Sequence, residues 1–308
     1  MSVLDDRDEL QALELRLRTI LPEEYQESYE DVQPVSMGST GLKYASDGLV
    51  AWDEIWDTFC DLAMAGGPPH KGMLLEPATR AEIDARPDRY QQVVDEICRG
   101  VTMVTDLPAD ASPVAGWVRV DCYGEGMAGW LLRAIVMENV AVRSEGRWLD
   151  LPASPGFRIE KEIKNVITVI AKTCHYWLGH MPRSQRRAIA ALFAAVAEQT
   201  PLVTPSLSDA AGAESEDTSL IGTLANRIRQ RTGLCSSNHR YAGWLGLECP
   251  SVRGAIWMMR AMVASSVLSR REGCVLFVPV NPVSDPDGER VSSSLALVHR
   301  LALARGVL

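Results

Sequence analysis

Histidine is the residue type in this chain best suited to proton transfer or ligand contact near neutral pH. His70 in AGGPPHKG and His180 in WLGHMP each follow a helical segment and stand beside Gly and Pro, while His175 precedes His180 on the same helix. Imidazole has an unperturbed pKa of about 6.5, so it exchanges protons readily at neutrality. We therefore take His70, His175 and His180 as acid–base candidates, and Lys71 as a further ligand contact. A plain helix-terminating turn accounts equally well for these residues.

Metal binding is not predicted. His175 and His180 are five positions apart, whereas one face of an α-helix brings together residues three or four apart. The seven cysteines are widely spaced, contain no CxxC pair and lack the spacing of zinc ligands. We therefore expect no metal site, and we assign no cofactor.

Arg133 and Arg260 stand in the middle of two apolar helical segments. Arginine keeps its charge, so a buried guanidinium group needs a partner. A repeated structural salt bridge is the favoured explanation, and a pair of guanidinium groups that grips an anion is the alternative. Acidic residues that recur near both arginines are available as partners: Asp121, Glu145, Glu248 and Glu272.

The helix RIEKEIKNVITVIAKTCHYWLGH, residues 158–180, has an apolar stripe at helical spacing. Lys161, Lys164, Lys172 and His175 lie nearer the opposite face, which predicts a solvated basic face, with attraction of an anion as the second interpretation. Elsewhere, Gly124 and Gly126 in YGEGMAG could form a phosphate-binding turn before a helix. No nucleotide-binding or hydrolase motif is present.

The chain repeats itself. Residues 116–155 and 243–282 align without gaps, 127 positions apart, with 15 of 40 residues identical. Two tryptophan pairs match in register, Trp117 with Trp244 and Trp130 with Trp257. Such a long period excludes a solenoid and predicts two copies of a small unit.

Each copy has the pattern of a strand, a helix and a second strand. WVRVDC and WLGLEC alternate, which places Val118, Val120, Cys122 and Cys249 on a buried face and makes both thiols structural. A long helix is expected to run to the Glu-Gly pairs at 145–146 and 272–273, where glycine ends it. The predicted fold class is α+β: an internally duplicated chain of two similar helix-helix-strand-helix-strand units packed about a pseudo-twofold axis.

The expected boundaries follow from this pattern. Residues 1–37 form an N-terminal helix and linker arm, 38–156 repeat unit 1, 157–286 repeat unit 2, and 287–308 a C-terminal helix. The segment at about 200–219 is rich in Ser, Ala, Pro and acidic residues, which predicts a mobile loop.

Composition sets limits on partners. The 308 residues carry a net charge of −9 and are 46% hydrophobic, as expected of a soluble globular protein. An acidic surface argues against nucleic acid. No apolar run reaches the roughly 18 residues that a membrane span needs. Dispersed cysteines and no secretory leader predict a cytoplasmic location.

Three functions are consistent with the sequence. The first is a binding protein for a small anionic metabolite, held between the repeats by Arg133, Arg260, His70, Lys71 and His180. The second is an enzyme that uses His70, His175 and His180 as acid–base groups in a cleft between repeats. The third is a scaffold or assembly subunit, and homo-oligomer formation is left open.

Overall fold

The computed structural model describes residues 3–23, 41–64, 73–206 and 218–308. His70, Lys71 and residues 207–217 of the expected mobile loop lie outside these ranges. The chain forms two compact units. The first unit comprises the described residues up to 190 except the N-terminal helix, and the second comprises that helix together with the residues from 191 onward.

The first unit contains helices on one sheet. Its helices, in chain order after the N-terminal α1 (Val3–Ile20), are α2 (Trp52–Met64), α3 (Arg80–Ala85), α4 (Pro87–Thr105), α5 (Glu125–Val136) and α6 (Lys164–His175). Its strands are β1 (Ala109–Ala111), β2 (Trp117–Asp121), β3 (Arg143–Glu145) and β4 (Trp148–Pro152). The sheet has the order β1-β2-β4-β3 and every neighbouring pair is antiparallel.

The second unit has the same arrangement. Its helices are α1, α7 (Arg183–Gln199, which begins in the first unit), α8 (Thr218–Thr232), α9 (Val252–Ala264) and α10 (Glu289–Arg305). Its strands are β5 (Ser236–Tyr241), β6 (Trp244–Glu248), β7 (Arg270–Glu272) and β8 (Val275–Pro279). They form an antiparallel sheet of order β5-β6-β8-β7.

The duplication and the α+β class are confirmed. Both sheets have the same strand order. The first residues of equivalent strands are 127 positions apart, as Trp117 of β2 and Trp244 of β6 are. The backbone repeats unusual conformations at the same offset. Asn139 and Ser266 both have a φ of 60°, although non-glycine residues rarely enter this region. Two copies of one fold account for such agreement.

The structure adds two edge strands to each copy, β1 and β3 in the first and β5 and β7 in the second. It also moves the end of the central helix. The helix was expected to reach Glu145-Gly146, but α5 ends at Val136, and Gly146 lies in the tight turn between β3 and β4 with a φ of 57°. The same holds for Gly273. A glycine with a positive φ suits a helix cap and a hairpin turn equally well, and here both glycines lie in hairpin turns.

The helix at 159–180 belongs to the first copy and not to the second. α6 packs on α4 and α5, as α10 packs on α8 and α9, and the positions 127 residues beyond α6, 291–302, lie within α10. The last helix of each copy therefore packs on two earlier helices of the same copy. This division differs from the boundary expected at residue 156.

The N-terminal helix expected within residues 1–37 is present as α1. It packs on α9 and α10 of the second unit, where Leu13 and Leu17 are buried. None of the helices in the described parts of the chain has the length and apolar character that a bilayer crossing requires.

Candidate functional site

The closing helix of the first unit changes its hydrogen-bond register at both ends. One π-helical turn, Ile159–Ile163, precedes α6, and a second, Tyr176–His180, follows it. In the second turn the Met181 amide donates to the Tyr176 carbonyl five residues earlier, at 2.9 Å. Single π-turns are uncommon and frequently mark functional sites.

The second π-turn brings His175 and His180 together. Their ring centroids lie 4.9 Å apart with ring planes 58° from parallel. In an α-helix, residues five apart do not share one face. Here they do, because the backbone hydrogen bonds of a π-turn join residues five apart, whereas those of an α-helix join residues four apart. His175 is half-buried and His180 is exposed, so the pair lies at the surface of the unit.

Aromatic rings surround the histidine pair. Trp56 of α2 meets the His175 ring edge-on at 5.8 Å, and Tyr176 meets the His180 ring at 5.6 Å. Trp56 and Tyr176 are both buried. These contacts hold the imidazoles against the apolar core while His180 stays accessible to solvent.

The predicted solvated basic face of this helix is wrong for two of its lysines. Lys161 is exposed, but Lys164 and Lys172 are buried at 4% and 2% residual exposure. Lys172 donates a 2.9 Å hydrogen bond to Glu138, which lies between α5 and β3. Burial lowers the pKa of Lys164, because desolvation penalises its charged form. Lys172 thus buries its cationic group one turn before His175, while Lys164 lies about three turns before it.

Arg133 and Arg260 occupy equivalent positions on α5 and α9, one in each unit. The Arg133 guanidinium donates to the Gly129 carbonyl of its own helix at 2.8 Å, and burial lowers its pKa to about 10. Three of the four carboxylates expected near Arg133 and Arg260 form ion pairs with other arginines. Those ion pairs are Asp121 with Arg147, Glu145 with Arg119, and Glu272 with Arg270.

The first sheet carries an ionic cluster around the buried Asp150, which sequence analysis did not identify. Asp150 on β4 accepts hydrogen bonds from Arg119 on β2 at 2.8 Å and from Arg143 on β3 at 2.9 Å. All three face one another across the strands, because Asp150 is registered opposite both arginines. Comparison of the two copies could have indicated the cluster. The second copy keeps an arginine, Arg270, at the position of Arg143 but has no charged residue at the positions of Arg119 and Asp150.

In the second sheet the retained arginine is packed among aromatic rings. Gly246 and Phe277 replace Arg119 and Asp150, and the Arg270 guanidinium lies over the Phe277 ring at 4.0 Å and the Tyr241 ring at 4.2 Å. Glu272 accepts its hydrogen bond at 2.7 Å. Both copies therefore pair this arginine with a carboxylate, Asp150 in the first and Glu272 in the second, and in the second copy the Phe277 and Tyr241 ring faces add to that pairing.

Two other features have structural roles. Burial raises the pKa of Cys122 and of Cys249 to about 12, so both thiols are protonated and inert at neutral pH. Gly124 precedes the first residue of α5, and a Cβ on Gly126 would lie 2.8 Å from the Ala190 Cβ. Gly126 thus permits close helix packing, which explains its presence without a phosphate.

Comparison of the two copies separates the candidates. Arg133 and Arg260 occur in both, as do the strand tryptophans. The histidines do not: 127 positions beyond His175 and His180 stand Ala302 and Val307. The shared fold can therefore require Arg133 and Arg260 but does not require the two histidines.

Among the residues that the structure describes, no group of three or more His, Cys, Asp and Glu side chains is arranged to hold a metal ion. Comparison of the whole chain with known proteins finds no match among family models, curated proteins or solved structures.

Proposed function

We propose that this chain is a binding protein for a small anionic metabolite, and that the ligand is held in the first unit at His175 and His180. The observation that carries the proposal is the π-turn that sets these two rings 4.9 Å apart in one copy only. The second copy has Ala302 and Val307 at the equivalent places, so the fold does not require the pair.

The chemistry around the pair favours an anion. Imidazole nitrogens donate hydrogen bonds to carboxylate or phosphate oxygens, and more strongly when protonated. The Lys172 ammonium group is buried one helical turn before His175. That ammonium group is already paired with Glu138, so the two imidazoles are the groups that favour an anion here.

The arginines fit this proposal less directly. Arg133 lies within α5 and donates to its own helix backbone, and Arg260 stands at the equivalent position on α9. We infer that both serve the fold, in contrast to the histidines. A role of His70 and Lys71 as further ligand contacts remains part of the proposal, although both lie outside the described residues.

Isothermal titration of tag-free protein with phosphate, oxalate and citrate tests the proposal. His180→Ala removes an exposed ring and is expected to weaken the tightest of these interactions by about 1.5–3 kcal/mol, the range for a hydrogen bond to a charged group. His239→Ala, which removes an exposed imidazole from β5, is the matched control. Equal affinities for the parent, His180→Ala and a His175→Gln/His180→Ala variant would place the ligand elsewhere.

An acid–base enzyme is the second candidate, and the same ring pair favours it. Two imidazoles within one site can divide the roles of proton donor and acceptor. The distinguishing measurement is turnover: an enzyme converts the anion that it binds, at a rate that falls when His175 or His180 is replaced, whereas a binding protein releases it unchanged. Product detection by NMR after prolonged incubation decides between the two candidates.

A further inference from the structure

The spacing of the two imidazole rings matches that of a shared metal ion. A zinc–nitrogen bond of about 2.0–2.1 Å places the ion about 3.2 Å from each ring centroid. Two such rings are then about 4.5 Å apart at a right angle and about 5.2 Å apart at the tetrahedral angle. The centroids of His175 and His180 are 4.9 Å apart, inside this range.

The π-turn supplies the geometry that an α-helix supplies to histidines four apart. In HExxH helices, the i and i+4 rings lie on one face and bind one zinc ion. Here the chain makes i→i+5 hydrogen bonds over Tyr176–His180, so the residue one π-turn beyond His175 is His180. Trp56 and Tyr176 pack against the two rings and restrict their rotation, as a rigid metal site requires.

We propose that His175 and His180 bind a divalent first-row transition metal ion of the zinc type, the class that imidazole ligands prefer. Two neutral imidazoles leave the charge of the ion uncompensated and leave coordination positions open to solvent at the exposed His180. An anion completes such a site, so the metal gives the proposed function, on which this step rests, a specific means of anion binding.

The first experiment uses Zn²⁺ alone. The intact, tag-free chain is stripped with EDTA, dialysed and titrated with Zn²⁺ by calorimetry. One ion per chain is expected, and His180→Ala and His175→Gln should each weaken binding by more than about tenfold, the lower limit even for loss of an outer-shell partner. His180→Cys, which supplies another zinc ligand, should retain binding, and His239→Ala should bind as the parent does. Unchanged Zn²⁺ affinity in His180→Ala overturns the metal site.

The second experiment separates the metal inference from the proposed function by titrating oxalate into stripped and Zn²⁺-loaded protein. Oxalate binding to the loaded form alone, lost in His180→Ala, supports both. Equal oxalate binding with no Zn²⁺ binding overturns the metal inference and leaves the anion proposal standing. Zn²⁺ binding with no binding of oxalate, phosphate or citrate overturns the anion proposal and leaves the metal site. Absence of all binding overturns both.

Discussion

Lys172 and Glu138 form an ion pair inside the first unit, with 2.9 Å between the ammonium nitrogen and a carboxylate oxygen. The pair joins α6 to the turn that follows α5. Residual side-chain exposure is 3% for Lys172 and 12% for Glu138, so water screens the charges little. The second copy has His299 and Ser265 at these positions, so the pair is a property of the first copy alone.

Removal of one partner is expected to cost far more stability than removal of both. Lys172→Met leaves the Glu138 carboxylate buried without its counter-ion, and we expect a loss of about 3–5 kcal/mol in the free energy of unfolding. Lys172→Met combined with Glu138→Leu removes both charges and should recover most of that loss. Urea denaturation followed by circular dichroism measures each value. A double variant as unstable as the single one would mean that packing, and not charge pairing, sets the cost.

The Asp150 cluster makes a similar comparison possible between the two copies. Asp150→Phe leaves Arg119 and Arg143 without their shared acceptor, and we expect a loss of about 3 kcal/mol. Adding Arg119→Gly recreates the Gly246 and Phe277 pair of the second sheet, where a Cβ on Gly246 would lie only 3.0 Å from the Phe277 ring.

The double variant Arg119→Gly/Asp150→Phe should therefore be more stable than Asp150→Phe alone, which thermal and urea unfolding can establish. Arg119→Gly in the parent is the control for the glycine itself. If the double variant loses more unfolding free energy than the two single variants lose together, the two sheets are not interchangeable at this site.

Gly126 tests close packing against phosphate binding. Gly126→Ala places a Cβ against Ala190, and overpacking of about 1–3 kcal/mol should exceed the gain of about 1 kcal/mol in helix propensity. Ala190→Gly should relieve the contact, so a double-mutant cycle is expected to give a favourable coupling of about 1 kcal/mol. A Gly126→Ala protein of parental stability that no longer binds phosphate would instead restore the phosphate-turn interpretation.

The buried thiols predict a specific loss of stability in alkali. Burial raises the folded-state pKa of Cys122 and of Cys249 from 9.0 to about 12, so the folded protein retains protons that the unfolded chain releases. Their contribution is complete below pH 9 and is lost as pH rises from 9 toward 12, by about 1.4 kcal/mol per pH unit for each thiol.

Unfolding free energies measured between pH 9 and 10.5 should therefore fall less steeply in Cys122→Ala/Cys249→Ala than in the parent. Slopes are compared rather than absolute values, since truncation lowers stability at every pH. In the same pH range the exposed Cys235 should react with a thiol reagent before either buried thiol. Identical slopes would show that the two thiols do not remain protonated in the folded state.

The repeat itself was accessible from the sequence because it rests on identities at fixed spacing. Trp117 and Trp244, and the alternating residues after them, mark the central strand of each sheet through a local period of two. The apolar runs that became α5 and α9 were equally clear. Edge strands were not, because β1 and β3 have three residues each and are largely exposed, which leaves no alternation to detect.

Tertiary packing decided which copy the helix at 159–180 joins, because its apolar stripe would fit either. It also decided the fate of Lys164 and Lys172, whose spacing indicated a solvated face but whose surroundings bury them. In the same way, Gly146 suits a helix end and a hairpin turn alike, and only the pairing of β3 with β4 selects the turn.

The sequence by itself determined that the fold is duplicated, that it mixes helices and strands, and which residues are candidates for chemistry. Only the tertiary structure decided that His175 and His180 meet. Side-chain periodicity follows from the helix type, and the helix type at Tyr176–His180 depends on hydrogen bonds made by backbone groups that are alike in every residue. The sequence therefore specifies the two histidines, while packing at the end of α6 sets the distance between their rings.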